Sequence, residues 1–217
     1  MKYGLMVLCY IGFIGLAYTQ SADPIKVTMT KGPRGETNIV FENNSNVMLT
    51  AVALSTANSD LHVSDSAIKH WDAIQPGQQG KMVYSERSEN IEFKAAIFGD
   101  GTTFGDQAAI HEMLLQRRAT LDGLGIILQH LPIDAKGSTP PTPMLPLFGR
   151  YRTEQLDIVK NDNQMRAAII NVNLIIQRQV QKMAGEMPDT IIAAITTMLR
   201  DWQMALNSSL PSLADLR

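Results

Sequence analysis

From Ile25 to Phe104, hydrophobic and polar residues alternate with a period of two. In "IKVTMT", Ile25, Val27 and Met29 fall on one side and Lys26, Thr28 and Thr30 on the other. In "IEFKAAIF" the same spacing puts Ile91, Phe93, Ala95 and Ile97 on one face, opposite Glu92 and Lys94. Successive strand residues point to opposite faces, so each segment predicts a half-buried strand. "TNIVFE", "VMLTAVALS" and "KMVYS" read the same way, and "KGPRG", "ENNSN", "QPGQQG" and "SERSEN" supply turns between them. Six or seven short strands in about eighty residues predict an antiparallel β-sandwich over residues 23–105.

The period changes after Asp106. Leu114, Leu121, Leu124, Leu128 and Leu131 recur at helical spacing, with Asp106 as N-cap and Pro132 just beyond the end, so residues 106–131 predict a first helix. Gly123 and Gly125 weaken its second half, which suggests a close neighbour along the backbone. Residues 132–150, "PIDAKGSTPPTPMLPLFGR", hold five of the 10 prolines and read as an extended connector. Their "PTPMLP" piece has the P-x-x-P spacing of proline-rich ligands, but a stiff connector is the simpler reading. Residues 151–217 predict a helical hairpin. One helix from about Thr153 to Gly185 carries Met165, Ile169, Val172, Ile176, Val180 and Met183, and Pro188 marks its end. The other, "DTIIAAITTMLRDWQMAL", carries Ile191, Ile195, Met198 and Trp202 on one face. The short "GEMP" link favours antiparallel packing, with the first helix either completing a three-helix bundle or lying on the sandwich. The fold class is α+β, strands first and helices after.

The order "IVFENNSNVMLTAVAL", then "IQPGQ", then "IEFKAAIFGDGTTFGD" resembles that of secreted bacterial immunoglobulin-like modules, over residues 25–106 only. The resemblance implies a sandwich serving as spacer, adhesive surface or docking platform, and assigns no activity. The chain departs from antibody-type domains: it has no cysteine pair, and Trp71 lies in "IKHWDAI" rather than within a strand.

The first 22 residues change the picture of compartment. Lys2 precedes the apolar run "GLMVLCYIGFIGLA", which gives way to "YTQSADP". That order describes a secretory signal peptide, cleaved between Thr19 and Asp23, and the run falls short of the roughly 20 apolar residues of a membrane-spanning helix. Cys9 is preceded by Leu8 and sits early in the run, so it is not a lipoprotein cysteine. It is also the only cysteine, which leaves the mature chain without thiol catalysis, cysteine zinc sites or disulfides. Disulfide-free export points to a bacterial periplasmic or extracellular protein stabilised by its core. Without Lys2 the 19 basic residues become 18, against 21 acidic ones, scattered with no basic stripe. Nucleic acid is therefore not an expected partner, nor is there a cationic membrane-surface helix.

Candidate chemistry is sparse. "HEMLL" at His111 and Glu112 begins like the zinc-protease signature, but the second histidine position is Leu115. His62, Asp65, His70 and Asp72 crowd into "HVSDSAIKHWD" without a known metal-ligand spacing. In "AAIFGDGTTFGD", Gly99 and Gly101 give G-x-G after a strand, but the third glycine position of a dinucleotide loop is Phe104, and Gly105 comes one residue late. Asp100-Gly101 instead suits a tight hairpin turn, and the calcium-loop pattern is missing as well. Asn43 and Asn207 begin glycosylation sequons, a pattern short enough to recur by chance. No nucleophile elbow, S-x-x-K pair or P-loop occurs, and two Trp, five Tyr and six Phe are few for a sugar-stacking cleft. Twelve methionines fall largely on the helix stripes, where core packing accounts for them. The expectation is an exported, non-enzymatic structural or interaction protein of the envelope, with no catalytic or metal residues and no cofactor. Its helical region would meet itself or an envelope protein. The alternative is a hydrolase with its site between sandwich and helices.

Overall fold

The computed structural model describes residues 23–33, 35–56, 61–68, 72–84, 91–131 and 144–210. Residues 1–22, expected as a signal peptide, the expected turn "SERSEN", His70, Trp71, the expected connector up to residue 143 and the last seven residues lie outside them. The fold is α+β, with seven strands followed by four helices among the described residues. Strands β1 (Ile25–Lys31), β2 (Thr37–Asn43) and β5 (Gln79–Tyr84) form one antiparallel sheet in the order β1-β2-β5. Strands β3 (Leu49–Ser55), β4 (Leu61–Asp65), β6 (Glu92–Phe98) and β7 (Thr103–Gly105) form a second, in the order β4-β3-β6-β7. The two share one core. Ile25, Ile39 and Phe41 from the first sheet bury against Val52, Leu54, Ala96 and Phe98 from the second. This is the β-sandwich that the period-two pattern implies.

Asn43 pins the crossing from one sheet to the other. Its side-chain amide donates to the carbonyls of Val47, at 2.8 Å, and Ile74, at 2.9 Å, and its Oδ1 accepts from the Ser45 N–H and hydroxyl. All four hydrogen-bonding positions of this fully buried amide are occupied, as burial requires.

The second sheet is buried on both faces, which the alternation alone does not reveal. Ala51, Ala53, Ala95 and Ile97 point away from the sandwich core and meet Ala109, Ile110, Met113 and Leu114 of α1 (Gln107–Gln129). Alanines on the sheet leave room for the helix to lie close. Strand β6 can serve both layers because its phase slips. Pairing with β3 runs Ala53↔Ala95 and then Leu54↔Phe93, so Lys94 is the extra residue of a β-bulge. Phe93 and Ile91 thus pack in the sandwich while Ala95 and Ile97 face the helix, not all four on one face as uninterrupted alternation suggests.

Gly105 follows from that bulge. Its φ is +109°, and a Cβ there would sit 2.2 Å from the Lys94 carbonyl oxygen. The Lys94 carbonyl accepts the Asp106 N–H at 2.8 Å. Asp106 in turn caps α1, its Oδ1 accepting the Ala109 N–H at 2.9 Å. Upstream, "FGDGT" closes the β6–β7 hairpin, with Gly101 at φ +86° and Asp100 accepting both the N–H and the hydroxyl of Thr102. The glycine-rich stretch is a hairpin and a helix start.

Helix α1 belongs to both halves. Its first turns cover the second sheet, and Leu121, Leu124, Ile127 and the following Leu131 join the core of the helical layer. The long second helix expected over 153–185 is instead two helices, α2 (Met144–Ile158) and α3 (Asn163–Lys182). The polar run "KNDN" breaks it: Asp162 is extended and accepts the Met165 N–H at 2.9 Å, restarting the helix. The end of the expected connector is therefore helical from Met144, with Pro146 in the first turn, where no intrahelical N–H bond is lost. Helix α4 (Pro188–Ser209) buries Ile191, Ile195, Leu199, Trp202 and Leu206. Helices α3 and α4 both pack chiefly on α1 rather than on each other, so of the two arrangements expected, a hairpin alone or a bundle with the first helix, the helices form a layer organised on α1.

Candidate functional site

Polar chemistry inside the molecule gathers where the sandwich meets the helices. Strand β4 alternates Leu61, Val63, Asp65 on the side that faces α1, so its last inward residue is a carboxylate. On α1, Arg117 lies on the stripe of Ile110, Met113, Leu114, Leu121 and Leu124. Arg117 Nε donates to Asp65 Oδ2 at 2.6 Å and Nη2 donates to Oδ1 at 2.9 Å, a bidentate pair with side chains 0% and 1% exposed. Nη2 also donates to the Thr50 hydroxyl at 2.9 Å, and that hydroxyl donates to the Ile97 carbonyl at 2.9 Å. Nη1 points at the Ser209 carbonyl, 3.5 Å away, at the C-terminal end of α4. A cation suits that end, where the helix dipole is negative.

The turn after β4 extends the network. Asp65 Oδ1 accepts the Ala67 N–H at 2.8 Å, and the Ala67 carbonyl accepts the indole N–H of Trp202 on α4. One buried ion pair therefore ties together β3, β4, α1 and both the middle and the end of α4. Chemically it is closed. Both carboxylate oxygens are occupied by the guanidinium, and neither group reaches solvent. Dehydrating two charges costs several kcal/mol each in general, which this geometry offsets through a fork-to-fork pair and extra bonds.

Three surface grooves flank α1 and α4. One of about 320 Å³ lies between α1 and α3, lined by Ile68, Glu112, Gln116, Thr120, Gln164 and Asn171. Another of about 480 Å³ lies between α1 and α4, over Leu121, Asp122, Gly125, Ile126, Gln203 and Met204. The third, about 560 Å³, runs beside α4 along Ala67, Ala194, Thr197, Met198, Asp201 and Ala205. Each of the three holds a single carboxylate and no histidine, so none pairs an acid with a base.

The residues singled out in the sequence are dispersed. Asp65 is consumed by Arg117, and His62 is exposed, its Nε2 2.8 Å from the Tyr84 hydroxyl in an edge-on ring contact. Asp72 is exposed and His70 lies outside the described residues, so the four-residue metal set does not assemble among the described residues. His111 faces solvent, whereas Glu112 reaches into the α1–α3 groove and accepts from Gln164 at 3.2 Å and Gln116 at 3.4 Å. Of the two sequons, Asn43 is fully buried and Asn207 is exposed on α4. Sequence reading passed over Arg117, although a signal was there. An aspartate in phase with Leu61 and Val63, and an arginine in phase with Leu114 and Leu121, are charges on two apolar faces, and such charges must pair.

Among the described residues no helix is long and apolar enough to cross a membrane. No family model matches the chain, and neither curated proteins nor solved structures yield a match to it.

Proposed function

We propose that this chain is an exported, non-enzymatic protein of the cell envelope, in which an immunoglobulin-like sandwich carries a rigid helical layer that meets a partner. The strand order supports the immunoglobulin-like reading: β1-β2-β5 faces β4-β3-β6-β7, differing from constant-type domains in that the fourth strand joins the second sheet. The leader pattern behind Lys2 and the cysteine-free remainder support export.

The observation that carries the functional reading is the Asp65–Arg117 node. The buried charges among the described residues hold layers together, and the grooves around them are shallow recesses with one carboxylate apiece. Such a molecule is built to hold a surface in place. The test is expression in a Gram-negative host with a C-terminal tag and photo-crosslinkers at Thr197 on α4 and at Thr28 on the outer sheet. Expected are a processed, periplasmic or secreted chain beginning between Thr19 and Asp23, and crosslinks from Thr197 but not Thr28. An unprocessed cytoplasmic chain would overturn export. Hydrolysis of an ester, peptide or glycoside panel that is lost in Glu112→Ala would favour the hydrolase.

A further inference from the structure

Asp100 and Asp122 are each followed by a glycine. An aspartyl-glycyl pair carries its own chemistry, because no side chain shields the glycine nitrogen. That nitrogen attacks the aspartate Cγ and an N–Cγ bond forms. One carboxyl oxygen leaves as water, taking the acid proton and the amide proton with it. Water then opens the five-membered imide at one of its two carbonyls. Opening at Cγ restores aspartate, and opening at the main-chain carbonyl routes the backbone through Cγ as isoaspartate. Water is the only co-reactant. The step needs the neutral acid, since a carboxylate is a poor electrophile, and it needs nitrogen and Cγ brought into a near-attack arrangement.

In the β6–β7 turn both reacting groups are engaged. Asp100 Oδ1 accepts the Thr102 N–H at 2.9 Å and the Thr102 hydroxyl at 2.7 Å. Two donors on one oxygen favour the unreactive carboxylate over the acid and oppose rotation of the side chain. The Gly101 N–H donates to the Phe98 carbonyl at 3.0 Å, so attack by this nitrogen breaks the bond that closes the turn. Nothing else bars the reaction. Asp100 and Thr102 are exposed, and a Cβ on Gly101 would meet no atom within 4 Å. We propose that Asp100-Gly101 is a latent isomerisation site, kept as aspartate by Thr102 and by the Phe98–Gly101 turn, and converted to isoaspartate when the hairpin opens. Conversion adds one main-chain atom to the turn that leads into Gly105 and the α1 cap at Asp106. Asp122-Gly123 is the reference within the same molecule: it lies inside α1, its carboxylate 3.2 Å from Arg118 Nε, and owes nothing to Thr102. The inference stands independently of the partner reading above.

Ageing the purified chain at mildly acidic pH, folded and in urea, tests this. Tryptic peptide mapping separates isoaspartate from aspartate, and Arg117 and Arg118 put Asp100 and Asp122 on different peptides. Isoaspartate at Asp100 is expected to accumulate about tenfold or more slowly in the folded chain than in urea. Thr102→Val removes the hydroxyl donor and is expected to speed conversion of the folded chain at Asp100 about threefold or more, with no change at Asp122. Thr102→Ser keeps the hydroxyl and is expected to stay near the parent. Because the neutral acid reacts, the fall in rate with rising pH should begin at higher pH in Thr102→Val than in the parent. Circular dichroism checks that each variant is folded. Equal rates in folded and urea-treated parent would overturn the proposal. So would a Thr102→Val rate equal to the parent's, or one that rises at Asp100 and Asp122 alike, which would mark general loosening instead of a released carboxyl.

Discussion

Arg117 and Asp65, 52 positions apart in sequence, form a two-pronged ion pair at 2.6 and 2.9 Å with neither side chain reaching solvent. Removing one partner leaves the other charged and buried without a counter-ion. Arg117→Ala and Asp65→Ala are each expected to cost about 3–5 kcal/mol in urea denaturation. Replacing both at once, as Arg117→Met with Asp65→Leu, is expected to cost far less than the sum of the single losses. Equal and additive losses would contradict the pairing. Trp202 fluorescence offers a second reading of the same event, because its indole N–H bonds to Ala67 in the turn that Asp65 holds.

Two glycines make opposite demands. Gly105 adopts a positive φ against the Lys94 carbonyl, so Gly105→Ala is expected to destabilise by about 3 kcal/mol. Gly125 is helical, and a Cβ there meets only the Gln203 side-chain nitrogen, 3.7 Å away. Gly125→Ala is expected to stabilise by up to about 1 kcal/mol by removing glycine's helical penalty. Thermal melts of the two variants should move in opposite directions.

Asn173 and Gln155 are the buried polar link between α3 and α2. The Asn173 amide donates to Gln155 Oε1 and to the Ile169 carbonyl, each at 2.9 Å. Asn173→Ala strips the Gln155 oxygen of its donor and is expected to cost about 1–3 kcal/mol. Hydrogen exchange should speed up first in α2, which depends on α3 for its packing, and a uniform change across α1 and α4 would count against this account.

The hydroxyl and then the N–H of Thr102 hold the Asp100 carboxyl below its ordinary value of 3.8. A carboxyl depressed in the folded state contributes stability above its unfolded pKa, and the contribution disappears as pH falls through the folded value. Carbon-detected NMR should therefore find Asp100 titrating below 3.8. Thr102→Val, which removes the hydroxyl donor, should raise that midpoint. The effect on global stability is small because the site is exposed.

Much of the architecture was readable from periodicity. The alternation of "IKVTMT" and "TNIVFE" specifies strands because a one-residue slip would turn every apolar side chain outward. Asp106 and the leucine series after it specify α1 for the same kind of reason, since a capped apolar stripe has few other uses. The break between α2 and α3 was also written locally, in Asp162, but the apolar spacing runs on across it and hides the stop.

What the sequence determined alone is thus local: which stretches extend, which coil, where Asp100-Gly101 turns and where Asp106 starts a helix. What only the tertiary structure decided is partnership. Nothing in "EFKAAIF" announces the bulge at Lys94, because a slip of phase is defined by the neighbouring strand. Nothing local says that α1 would lie on Ala51, Ala53 and Ala95 with one part of its length and on α3 and α4 with the rest. The sequence puts Asp65 and Arg117 on two apolar faces. The fold joins them, since a buried charge is tolerable only where a distant segment brings its opposite within hydrogen-bond reach.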